Sequence, residues 1–214
     1  MKDIPRQRGR RYIDSLIAQG EHDRQDFKFT ISDARKIARS ISAFSNARGG
    51  HLLIGVKDNG TVAGVRNEED IYVVEQAARL YCRPSVEVEF TAFSYDTNIM
   101  VIRATIPPAA QRPVKCQDSD GSWRSYFRVA DENIVAHPLM VRSWQSQAVS
   151  FSLTEEISTL FQLLDEEPAG VELADIARRL AVSEHRAADM VVALAAAGAI
   201  CFAYHAPIFK ISRP

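Results

Sequence analysis

Cysteine is scarce in this chain: three residues in 214, at Cys82, Cys116 and Cys201. Their odd number and wide spacing match neither a disulfide framework nor a zinc pattern. They read instead as reduced thiols of a cytoplasmic protein. No apolar run approaches the ~20 residues that cross a bilayer, so a membrane is not an expected partner. The first residues are charged and lack an apolar stretch, which argues against a signal peptide. A G-x-x-x-x-G-K-[ST] segment is absent, and with it the usual basis for ATP binding. The five histidines, at 22, 51, 137, 185 and 205, show no ligand spacing, and no Ser/His/Asp or Cys/His arrangement suggests a nucleophile. They read as surface or satisfied core groups. Internal repeats and low-complexity segments are also missing. The net charge is −1, so the molecule as a whole is not a polybasic nucleic-acid binder.

The charge that is present is unevenly spread. Residues 151–214 hold five Lys/Arg against nine Asp/Glu, a net of −4, while residues 1–150 carry a net of +3. Lys2, Arg6, Arg8, Arg10 and Arg11 crowd the first eleven residues. That segment reads either as a basic arm able to follow a phosphate backbone or as a solvated terminus.

Hydrophobic periodicity supplies the elements. Ile13, Leu16 and Ile17 predict a short helix over 9–19, stopped at Gly20. Residues 25–30 alternate as a half-buried strand, with Phe27 and Phe29 inward and Asp26 and Lys28 on the other side. Ala34, Ile37, Ala38, Ile41 and Phe44 predict a helix over 33–47. A central strand follows Gly49 and Gly50, and Asp58-Asn59-Gly60 predicts a hairpin returning through residues 61–65. A further helix ends near Pro84, and strands are expected over 86–93 and 98–106. Another hairpin is expected around Asp118–Gly121, with 125–129 as its second arm, and 137–148 reads as a helix or linker. The fold class is α+β: a mixed sheet with flanking helices over 12–148, behind an arm at 1–11. A smaller module over 149–214 has the order helix, helix, tight turn, helix, hairpin, that of a winged helix-turn-helix. Thr154 and Ser183 are its candidate N-caps, and Gly198 its candidate helix stop.

The stretch from Glu21 to Gly64 carries the most specific pattern. It contains EHDRQDFKF, then ISAFSNARGGHLLIGVKDNGTVAGV; later comes Tyr126-Phe127-Arg128-Val129. This combination resembles the Schlafen AlbA_2 family, a nucleic-acid-binding domain once grouped with divergent AAA modules, over roughly 12–140. The resemblance implies three candidate carboxylates for metal-dependent RNA cleavage: Glu21, Asp26 and Asp58. Together they would hold Mg²⁺ or Mn²⁺, able to polarise a phosphate and activate water. One departure is that Asp26 stands where the family usually has Glu, one methylene longer. The other reading makes Asp58 a turn residue and Glu21 and Asp26 partners of Arg24 or Lys28. The resemblance also implies regulators more often than nucleases for bacterial members with such a tail.

Phosphate contacts are expected from Lys28, Arg48, Lys57 and Arg128, with surface salt bridges as the alternative. Gly49 and Gly50 either offer backbone N–H groups to a phosphate or carry the chain from helix to strand, and the second is favoured. In the tail, His185 and Arg186 are placed to touch DNA, whereas Glu184 and Asp189 would oppose its phosphates. The tail therefore serves either DNA contact or protein assembly, including a homo-oligomer. The leading expectation is a DNA- or RNA-binding transcriptional regulator, with a ribonuclease and an assembly protein as alternatives.

Overall fold

A computed structural model describes residues 4–65, 69–148 and 150–214. The chain divides into two units, residues 1–136 and 137–214. In the first unit the elements run β1 (Arg6–Arg8), α1 (Arg10–Ile17), β2 (Gln25–Lys28), α2 (Ala34–Asn46), β3 (Gly50–Ile54), α3 (Glu69–Leu80), β4 (Cys82–Arg83), β5 (Glu89–Asp96), β6 (Ile99–Ile106), β7 (Lys115–Gln117), β8 (Trp123–Val129) and β9 (Glu132–Val135). The result is the expected α+β class with a mixed sheet.

Two sheets form. The larger has the order β1-β5-β6-β3-β2, with parallel pairs at both edges and antiparallel pairs between them. The smaller is antiparallel, in the order β4-β7-β8-β9. Helix α2 packs against β8, β7 and α3 as well as the large sheet, and nine of its 13 residues are buried. Its start is fixed by Asp33, whose side chain accepts from the N–H groups of Arg35 and Lys36, satisfying donors that a helix N-terminus leaves orphaned. Ile37, Ile41 and Phe44 join Leu52, Ile54, Ile102 and Ile106 in the main core. The opposite face of the large sheet carries a smaller core, where Ile13 and Leu16 of α1 meet Phe27, Leu53, Phe93 and Val101.

Several local expectations change. Residues 1–3, with Lys2, lie outside the described residues. The rest of the expected arm is structured: Arg6–Arg8 form an edge strand on β5, and Arg10 and Arg11 open α1. Residues 61–65 form no strand. Only Val56 and Val62 bridge, because the N–H groups of Ala63 and Gly64 both turn back onto the Gly55 carbonyl. Cys82 and Cys116, distant in sequence, stand directly opposite each other across β4 and β7 as free thiols. Burial raises both thiols, that of Cys116 to about 12.

The second unit contains α4 (Pro138–Gln145), α5 (Glu155–Glu166), α6 (Leu173–Arg179), α7 (Glu184–Ala196), β10 (Cys201–His205) and β11 (Ile208–Ser212). Helix α4, expected with the first module, packs on α7 in the second unit, with Leu139 in that unit's core. Thr154 and Ser183 cap α5 and α7 through the N–H groups of Ile157 and Arg186. Gly198 takes φ 75° just beyond α7. Strands β10 and β11 form an antiparallel hairpin, and Val171 bridges to Ile211 of β11.

Candidate nucleic-acid interface and carboxylate cluster

The segment from Glu21 to Lys28 builds one edge of the large sheet, and Gln25, Asp26 and Phe27 are buried there. Strand β2 hydrogen-bonds inward, the Arg24 carbonyl accepting from His51 N–H and the Lys28 carbonyl from Gly55 N–H. The outward backbone groups would be orphaned at a sheet edge. Side chains meet them. Glu21 accepts from Phe27 N–H at 2.7 Å. Lys28 Nζ donates to the Phe27 carbonyl at 2.8 Å, and Arg128 donates to the Gln25 carbonyl at 3.3 Å.

Asp26 is 6 % exposed rather than solvent-facing. The alternation predicted its direction away from Phe27 but not that this side is also covered. Its carboxylate lies 2.8 Å from Lys28 Nζ and 3.6 Å from the Arg128 guanidinium. Burial, with the nearby Asp26 carboxylate adding to it, holds the Glu21 carboxyl above the ordinary value against the opposing Phe27 N–H. Glu21 and Asp26 are thus neighbours whose charges act on each other, whereas Asp58 sits exposed in the turn after β3. Among the described residues no three His, Cys, Asp or Glu side chains are grouped to hold a metal ion. Glu21, Asp26 and Asp58 are accordingly not gathered as one such group, and the Asp26 carboxylate faces Lys28 and Arg128.

Arg128, an expected phosphate contact, is corrected to an internal strut. It is 3 % exposed. Its donors reach Asn133 at 2.9 Å and the His22 carbonyl at 3.4 Å, and its guanidinium stacks 4.9 Å from the Phe44 ring centroid. The Gly-Gly pair is likewise structural. Gly49 holds φ 73° and its N–H is committed to the Phe44 carbonyl, so it is not free for a phosphate. A Cβ on Gly50 would lie 2.4 Å from the Phe44 ring. The Ser-Ala-Phe-x-Asn segment explains that closeness. Phe44 fills the space beside Gly50, and Asn46, fully buried, donates to the Val114 and Tyr126 carbonyls and accepts from Val114 N–H.

Arg48 and Lys57 remain exposed, before and after β3. Neither has a carboxylate partner among the described residues, and Lys57 Nζ lies 5.2 Å from the Phe29 ring centroid. In the second unit the expected DNA contacts are engaged. Arg186 binds both oxygens of Glu156 at 2.8 and 3.0 Å. His185 lies 3.4 Å from Asp189, which also accepts from Arg142 at 2.7 Å. The Arg142 bond holds the Asp189 carboxyl below its ordinary value.

The sequence reading missed His51 and Arg103 as a group on the sheet face that α1 covers. The available signal was a charged Arg103 inside the apolar run of β6.

A family model described as Schlafen, AlbA_2 matches residues 21–137, more than half of the chain. No curated protein matches. Among solved structures, the DIP2311 protein from Corynebacterium diphtheriae is similar at TM-score 0.46 and 18 % identity, over 75 % of this chain and 34 % of that one. The chain spans about a third of that protein's length, and the likeness carries no argument about function. Among the described residues no helix is long and apolar enough to cross a membrane.

Proposed function

The chain belongs to the Schlafen AlbA_2 family, and from that premise we propose that it binds nucleic acid and acts as a transcriptional regulator. The observation that carries the reading is the pair Arg48 and Lys57, exposed and without carboxylate partners in the unit that holds the family match. Free cations of this kind gain most from a phosphate backbone, because binding releases condensed counterions. The second unit supplies assembly, or DNA contact by a winged helix-turn-helix. The ion pairs of Arg142, Arg178, Arg179, Arg186 and Arg213 favour assembly.

Anisotropy titrations with DNA and RNA at several salt concentrations test the proposal. Binding is expected to weaken with salt, and the double variant Arg48→Gln, Lys57→Gln to reduce the salt slope by about 2. Salt-insensitive binding, or none, sinks it.

A ribonuclease is the second reading, and the Glu21–Asp26 carboxyl pair is what favours it. Incubation of structured RNA with Mn²⁺ or Mg²⁺ separates the two. Cleavage that is lost in Asp58→Ala supports the enzyme, and cleavage that persists there rules out the three-carboxylate assignment.

A further inference from the structure

The two faces of the large sheet are unequally covered. One lies under α2 and α3. The other carries α1, eight residues and ~12 Å long, with Val56 and Val62 of the segment after β3 beside it, against a five-stranded sheet ~19 Å wide. Beyond α1, one row of side chains crosses the sheet on this face: Gln25, His51, Thr105 and Glu89, in register through β2, β3, β6 and β5. Arg103 sits one step along β6 on the same face, beside Leu53 and Thr91.

The polar atoms of this row have fixed roles. Gln25 Nε2 donates to the Leu16 carbonyl at 2.8 Å and the Gly20 carbonyl at 2.6 Å. Its oxygen is therefore the atom facing His51 Nε2, at 2.8 Å. That oxygen can only accept, so His51 Nε2 carries the proton and Nδ1 is left as an acceptor. Burial lowers the His51 pKa to about 4, with the charges of Arg103, His22 and Arg24 adding to the effect. The ring is neutral at physiological pH.

Arg103 is the complementary group. Nη1 donates to the Tyr12 hydroxyl, and the guanidinium lies 5.6 Å from the Tyr12 ring centroid and 5.7 Å from that of Phe93. Nε is buried with no acceptor, a cost native structures rarely leave uncompensated. No carboxylate pairs with Arg103 among the described residues. Arg24, exposed just before Gln25, also lacks a carboxylate partner there. Other arginines differ: Arg39, Arg124 and Arg128 all face aspartates. The nearest acid in the row is Glu89, which is exposed.

We propose that the partly exposed stretch of this sheet face around His51 and Arg103 is a phosphate-binding site. Arg103 and Arg24 attract the anion, and His51 Nδ1 accepts a hydrogen bond from an adjoining hydroxyl or amino group. An anion flanked by a donor is the chemistry of a nucleotide unit, supplied either by a nucleic-acid strand or by a free nucleotide. The polymer source rests on the nucleic-acid reading above; the site itself does not.

The test uses the full chain, a labelled single-stranded ribo-oligonucleotide and a ribonucleoside monophosphate. Binding is followed by anisotropy and by the His51 ring resonances. Arg24→Gln and Arg103→Lys are each expected to weaken oligonucleotide binding about fivefold, with the salt slope falling by about 1 for Arg24→Gln. Glu89→Gln is expected to tighten it about twofold, a gain that a purely structural role does not produce. Intact binding with unchanged affinity in all three variants overturns the sheet-face site and leaves the nucleic-acid reading standing. Shifts of His51 with the mononucleotide, but no binding of the oligonucleotide, keep the site and remove the polymer. No response of His51 to either probe overturns the site.

Discussion

The two units treat their cations differently. In the second, arginines on α4, α6, α7 and after β11 are matched by carboxylates, mostly at half-exposed positions. In the first, one arginine is swallowed by the fold, Arg128, and others stand without acids: Arg24, Arg48 and Arg103. Positive charge in a sequence therefore has three fates: a buried strut, a neutralised surface pair, or a free group available to an anion. The count of Lys and Arg is silent on which, yet only the third fate serves phosphate recognition.

The sharpest test of this contrast is Arg128→Met. Removing the guanidinium takes from buried Asp26 one of its two cations, leaving Lys28, and opens the edge of β2. Because one partner stays, the loss should come in just below the ~3–5 kcal/mol of a fully broken buried pair. Urea denaturation should show that loss. A variant as stable as the parent, but weaker for nucleic acid, would return Arg128 to the phosphate contacts.

His51 gives the next largest effect, through pH. Its folded pKa, about 4, lies below the unfolded value of ~6.5. The unfolded chain thus binds the extra proton first as pH falls. The stability tied to the neutral ring is complete above pH ~6.5 and is lost on descending toward about 4. After allowance for partial exposure, the loss is on the order of 2 kcal/mol. The stability gap between the parent and His51→Gln should narrow by that amount between pH 7 and 4. A gap independent of pH would mean that the ring is not held neutral.

Arg186→Gln marks the small end. The Arg186–Glu156 pair is largely exposed, so its loss should cost less than ~1 kcal/mol. The salt slope for nucleic acid should stay unchanged. A drop in that slope would show that the second unit contacts phosphates despite its acidic partners.

How much of this was legible in the sequence depends on whether a signal was local. Helix α2 and strand β3 were readable because Ile37, Ile41 and Phe44, then the run at 52–54, repeat at their own periods. The caps at Thr154 and Ser183 were readable because capping is a contact across three residues. Strand β1 was not, since Arg-Gln-Arg has no apolar alternation and is held only by distant β5. The return after Asn59-Gly60 misled for the opposite reason: the turn signal is real, but Gly55 gathers the following N–H groups before a ladder can form. At the candidate site, the sequence named Glu21 and Asp26 and the structure joins them. It could not show that Asp26 is already held by Lys28 and Arg128, because those partners arrive by tertiary packing. Arg103 and His51 meet only through strand register, which a linear reading does not contain.

The self-capped edge at β2 has a consequence for solution behaviour. A bare strand edge invites another chain to add to the sheet, and such templating is a route to fibres and swapped dimers. Glu21, Lys28 and Arg128 occupy the outward groups at one edge, and the exposed, basic Arg6–Arg8 strand repels a like copy at the other. The sheet is thereby blunted at both margins against indefinite growth. Any homo-oligomer this protein forms is expected to use helical or hairpin surfaces, and to stop at a finite size.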